Sequence, residues 1–127
     1  MVYRKTNGQA LTHDEMDANF EELETKSNLM LGVGQTWQDV AVDRDFSITY
    51  TNSTQKPIFI SILLNGSLSN RLGARFLIDD VIITDQLGEN ANGDSETKSI
   101  DLIIPINSTY RLENFLGTNV AKWYELR

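Results

Sequence analysis

Cysteine is absent from the 127 residues, which excludes disulfide staples, thiol catalysis and Cys-based zinc sites. Histidine occurs once, at His13, so a Ser-His-Asp constellation would have to be built on that single residue. Basic residues are the scarcer charge: 11 Lys and Arg stand against 18 Asp and Glu, for a formal net charge of −7 and a pI near 4.5. A phosphate backbone or an anionic membrane surface is held by clustered Lys and Arg, so neither nucleic acid nor a charged bilayer is an expected partner. No stretch approaches the roughly 18 consecutive apolar residues of a spanning helix, and membrane insertion is not expected. The opening MVYRKTNGQA lacks the apolar core of a secretion signal. There is no G-x-x-x-x-G-K-S/T, and no G-x-G-x-x-G between a strand and a helix, so no phosphate-cradling loop is visible and no cofactor is expected.

What is present is an ordinary globular mixture, 40% hydrophobic and 23% charged, which argues against wholesale disorder. Residues 1–10 are polar and contain an Asn7-Gly8 turn signal, so they read as an arm. Thr12 and Glu15 then form an S/T-x-x-E capping box. Leu11 and Met16 stand at the positions of a hydrophobic staple, and Asp14, Glu15 and Asp17 suit the positive end of a helix dipole. A helix is predicted from this point to about Met30, stopped near Gly32 and Gly34. Its apolar positions are Met16, Phe20, Leu23 and Met30, with Ser27 filling a gap, and the spacing alternates by three and four. That period fits a coiled-coil seam, but the repeat is short, and an amphipathic helix laid on its own sheet satisfies it as well.

From Gln35 the pattern changes to β. QTWQDVAV, FSITYT, KPIFISILL, ARFLIDDVIIT, KSIDLIIPI, TYRLEN and VAKWYELR are apolar or β-branched runs parted by turn residues. Asn65-Gly66 is read as a hairpin signal, and Asp79-Asp80 as a two-residue hinge between short strands. Residues 85–96, DQLGENANGDSE, read as a long acidic loop. Seven or eight short strands at this spacing predict an antiparallel β-sandwich preceded by one N-terminal helix. The expected divisions are a polar arm (1–10), a capped helix (11–31) and a β-domain (32–127).

No residue pattern places a reaction. The carboxylates Asp79, Asp80, Asp85, Glu89, Asp94 and Glu96 do not fit the helix-loop-helix calcium pattern and read as solvated. The Asn-x-Ser/Thr triplets at Asn52, Asn65 and Asn107 read as turn chemistry. Trp37 and Trp123 are candidates either for stacking on a sugar ring or for the core, and large aromatics near strand centres favour the core.

LTHDEMDANF, residues 11–20, resembles the PLT-x-x-E-x-DANF segment near the start of tailed-bacteriophage tail-fibre and minor tail proteins, with Ala10 where proline is common. GVGQTWQDVAVDRDFSITYTNSTQKPIFISI, residues 32–62, is similar to the opening of a tail-fibre tip domain, and WYELR, residues 123–127, to its ending. IDDV stands where family members carry a short VNG hairpin. The resemblance implies a distal β-sandwich tip presented as a homotrimer in a virion tail fibre. Met16, Phe20, Leu23 and Met30 would then line a short three-helix stalk. Such a stalk is too short to hold alone, so the sandwiches are expected to touch each other around the threefold. The implied function is non-enzymatic attachment to a bacterial surface receptor, a glycan by expectation; the alternative is a structural tail or baseplate subunit without host contact. The arm would dock on other tail proteins. Loop position and side-chain chemistry, rather than any family pattern, nominate Asn70, Arg71, Asn90, Asn92 and Asp94 as receptor contacts, in the 65–73 and 85–96 loops.

Overall fold

In the computed structural model, residues 10–66, 71–89 and 96–127 are described. Helix α1 runs His13–Asn28, with both halves of the capping box formed at its start. The Glu15 amide donates to Thr12 Oγ1 at 3.2 Å, and the Thr12 amide to Glu15 Oε2 at 2.9 Å. The helix stops before Met30. The amides of Leu29 and Met30 turn back to the carbonyls of Lys26 and Ser27, one residue short of the α-helical repeat. Gly32 and Gly34 then take positive φ and redirect the chain. No residue of α1 is buried, so the helix is not laid on its own sheet.

The β-domain has eight strands: β1 Trp37–Asp39, β2 Tyr50–Thr51, β3 Ile58–Gly66, β4 Arg71–Ile78, β5 Val81–Glu89, β6 Thr97–Ile104, β7 Thr109–Leu116 and β8 Thr118–Leu126. They form two antiparallel sheets, ordered β1-β8-β3-β6 (sheet A) and β2-β7-β4-β5 (sheet B). This is the expected sandwich, and its strand order is that of a jelly roll, two Greek keys folded face to face. Alternation decides which side each residue faces. Along β3, Ile58, Ile60, Ile62 and Leu64 are all fully buried while their neighbours are only half-buried. They pack with Leu72, Ala74, Phe76, Ile100, Ile104, Tyr110, Leu112 and Trp123 in one core.

Several boundaries differ from the sequence reading, each for a local reason. QTWQDVAV is extended only through Asp39, whose Oδ1 accepts the Ala41 amide at 3.1 Å. That Asx turn leads into a 3₁₀ turn over Ala41–Asp43. In FSITYT the positive φ of Ser47 breaks the run, leaving only Tyr50–Thr51 as strand. Asn65-Gly66 is not a hairpin. Both residues are still paired within sheet A, and the chain next enters the other sheet at β4. Residues 85–89 belong to β5, paired with Arg71–Arg75 of β4, and not to a loop.

The Asp79-Asp80 hinge forms as expected, with both residues at positive φ (50° and 63°) and Ile78 paired to Val81. Asn52 is turn chemistry of a buried kind. Its Nδ2 donates to the carbonyls of Lys56, Ile104 and Pro105, and its Oδ1 accepts from Thr54 N and Oγ1.

Candidate functional site

The sandwich has two unlike poles. At one, Gln35 fastens the segment after α1 to the ends of sheet A. Its Nε2 donates to the carbonyls of Pro57 (2.9 Å) and Leu126 (3.3 Å), while its Oε1 accepts the Gly32 amide at 2.6 Å. Thr36 and Arg127 exchange two backbone hydrogen bonds beside it, and Lys56 Nζ donates to the Val33 carbonyl. The helix is therefore rooted on sheet A.

At the other pole the ends of three connections meet. The Gly66 amide donates to the Glu96 carbonyl at 2.9 Å, so the ends of β3 and the start of β6 are tied. A Cβ on Gly66 would lie 2.5 Å from the Arg71 carbonyl oxygen, so the chain returns to β4 at close range. The β7–β8 turn is locked by Asn114, whose Oδ1 accepts the amides of Leu116 and Thr118 and whose Nδ2 donates to the Thr118 carbonyl. Thr118 Oγ1 accepts the Gly73 amide and joins this turn to β4. The described ends of the β3–β4 and β5–β6 connections, the segments in which the sequence reading placed its candidate contacts, thus share one rim. Nine residues of β3 separate this rim from the helix root, a distance of roughly 25–30 Å at strand rise.

Of the nominated receptor contacts, Arg71 is exposed at the first position of β4, on that rim. Asn70, Asn90, Asn92 and Asp94 lie outside the described residues. Of the nominated seam, Phe20 is 68% exposed and Leu23 is also exposed, while Met16 is half-buried. Met30, also exposed, stands beyond the end of α1 and so leaves the helical seam. His13 is exposed at the helix start. Among the described residues no group of three or more His, Asp or Glu could hold a metal, and no helix is long and apolar enough to cross a membrane.

The two tryptophans part company. Trp123 is fully buried, its indole N–H without a partner. Trp37 is 54% exposed on the outer face of sheet A, its ring edge-on to Phe59 at 5.7 Å, beside an open cleft it lines with Ser61 and Tyr124. The sequence signal for the difference is position: Trp37 stands on a three-residue edge strand, Trp123 on a strand flanked on both sides.

Sequence reasoning missed a buried ionic cluster. Glu125 is fully buried on β8 and accepts from Arg44 Nε and Nη2, both at 3.0 Å, from the Tyr110 hydroxyl at 2.9 Å, and forms an ion pair with Arg127 at 3.2 Å. Arg44 also lies over the Tyr50 ring at 4.4 Å. Burial alone would pull the Arg44 guanidinium down, but its hydrogen bonds and charge attraction to Glu125 hold it above its ordinary value. Burial, reinforced by the Glu125 charge, pushes the Tyr110 phenol up to about 12. With every partner internal, the cluster ties the loop before β2 to β8 and is structural. Asp79 is held below the usual carboxylate range by the Thr109 amide and then the Ser108 hydroxyl, each at 2.8 Å.

No protein-family model matches the sequence, and no curated protein sequence matches it. The crystal structure of a β-glucosidase from Paenibacillus barengoltzii aligns over 72% of this chain and 10% of its own, with a TM-score of 0.42 and 11% identity. A likeness of that size carries no argument about activity.

Proposed function

We propose that the protein is a non-enzymatic tip of a bacteriophage tail fibre, working as a homotrimer on a host surface receptor of glycan type. The observation that carries this reading is the opposition of the poles: the helix is rooted at one end of sheet A, and the described stems of the two candidate polar segments, Gly66, Arg71, Glu89 and Glu96, stand at the other. A stalk at one end and adaptable loops at the far end, joined by a rigid sandwich, is what a tip that touches a surface requires. The helix supports it too, because Phe20 and Leu23 stand exposed, with no cover from the described residues. Three identical weak sites on one trimer gain avidity without tight individual binding. The polar arm is assigned to docking on another tail protein.

Adsorption tests the reading. The isolated protein should bind host cells saturably, and host polysaccharide should compete. No cell binding, together with stoichiometric binding to a larger tail protein, would replace it with a structural tail subunit. Release of reducing ends from that polysaccharide would make it an enzyme instead.

A further inference from the structure

The outer face of sheet A breaks the usual pattern of a sandwich, in which the solvent side of each strand is polar. The register lines up Trp37 on β1, Leu126 on β8, Phe59 on β3 and Ile103 on β6 as one row across all four strands. Trp37 and Ile103 are each about half exposed, at 54% and 52%. The next row outward from the helix root is polar: Asp39, Tyr124, Ser61 and Asp101. Its carboxylates are already engaged, Asp39 by the Ala41 amide and Asp101 by the Ser61 hydroxyl at 2.6 Å. The apolar row is thus a band with a polar margin, the anatomy of an interface core and its rim.

We infer that this row is where each sandwich packs against a second copy of the chain. This rests on the trimer reading above and names the face that the trimer uses. The occupant follows from the rooting of the helix. Gln35 ties the segment after α1 to the carbonyls of Pro57 and Leu126, the residue before Phe59's strand and a member of the row itself. Any association of the helices through Phe20 and Leu23 brings three helix roots together, with the apolar row beside each, and holds those rows at high effective concentration. The helix offers only 16 residues, too short a seam to persist alone in water, so the row supplies the apolar contact that the helix lacks. Sheet B carries no such tie to the helix segment among the described hydrogen bonds.

Sedimentation and collisional quenching of tryptophan, on the full chain, test this together. Trp123 is buried in every state and reports the fold, so quenching reports Trp37. The expected result is a trimer in which acrylamide quenches neither tryptophan appreciably, with Trp37 becoming quenchable on dilution to protomers. Ile103→Lys, at an exposed position where folding does not depend on the side chain, should weaken the trimer by roughly tenfold or more. Val42→Lys, at an exposed position outside the row, should leave it unchanged. A trimer that keeps its strength in Ile103→Lys and leaves Trp37 open to acrylamide would overturn this face and spare the trimer. A monomeric wild type would overturn both. Protection of Trp37 by a neutral saccharide, with no change in mass, would turn the cleft into a ligand site and overturn the interface.

Discussion

At the residue scale the Glu125 cluster offers the sharpest tests. Of its three charges, Arg44 and Glu125 lie almost wholly inside, with 11% of the Arg44 side chain and none of Glu125 exposed, while Arg127 pairs with Glu125 from the margin. Removing Arg44 takes two charge-assisted hydrogen bonds from the buried carboxylate and leaves it only the Arg127 pair and the Tyr110 hydroxyl. Arg44→Met should therefore cost about 3 kcal/mol, and the double variant Arg44→Met/Glu125→Met less than the single, as measured by urea unfolding. Tyr110 adds a pH dependence whose sign follows from its raised value. In the unfolded chain the phenol ionises near its ordinary 10.0, and in the folded chain only near 12. Its contribution is intact below pH 10.0 and is lost as pH rises toward 12. A spectroscopic titration should show the Tyr110 phenol ionising only with alkaline unfolding; its ionisation near 10 in the folded chain would contradict this. None of this was legible in WYELR as letters. Glu125 has the alternation of an inward residue but the chemistry of an outward one, and its partner Arg44 lies 81 positions away.

At the element scale, what the sequence disclosed and what it withheld divide by range. The capping box and the Asp79-Asp80 turn formed where expected, because each is decided within a few residues. Asp80 holds φ at 63° and its side chain pairs with Arg111 at 3.1 Å while largely exposed. Asp80→Gly trades that exposed pair, worth little, for a residue at ease in the left-handed region, and should stabilise by about 0.5 kcal/mol in thermal or urea unfolding. Asp79→Ala should destabilise by more, since it loses three hydrogen bonds to Ser108 and Thr109 and keeps the positive φ. Asn65-Gly66 misled because the local signal for a hairpin was overruled by pairing with Thr97 and Asn119, far along the chain. The candidate loops were legible as polar, but that their stems share one rim depends on sheet order, which no local pattern encodes. Thr12→Ala, by loss of the cap, should cost the helix about 1 kcal/mol. Circular dichroism would show reduced helix with the β-signal unchanged.

At the scale of the whole molecule, α1 contributes no buried residue to the sandwich. Deleting residues 1–31 should accordingly leave a folded β-domain whose Trp123 emission still reports a buried indole, while sedimentation shows the proposed trimer lost. An unfolded product would mean that the helix supports the sandwich after all.

Strand β8 lies between β1 and β3, and its residues Trp123 and Glu125 fill the core and the ionic cluster. Sheet A is consequently completed by the last of the strands to leave the ribosome. With synthesis at about 5–20 residues per second, β1 and β3 wait several seconds with unpaired edges before their shared partner arrives. The fold is thus delayed by its own order of manufacture. A nascent chain stalled before Thr118 should be protease-sensitive and bind holdase chaperones, whereas one stalled a tunnel's length beyond Arg127 should already be resistant.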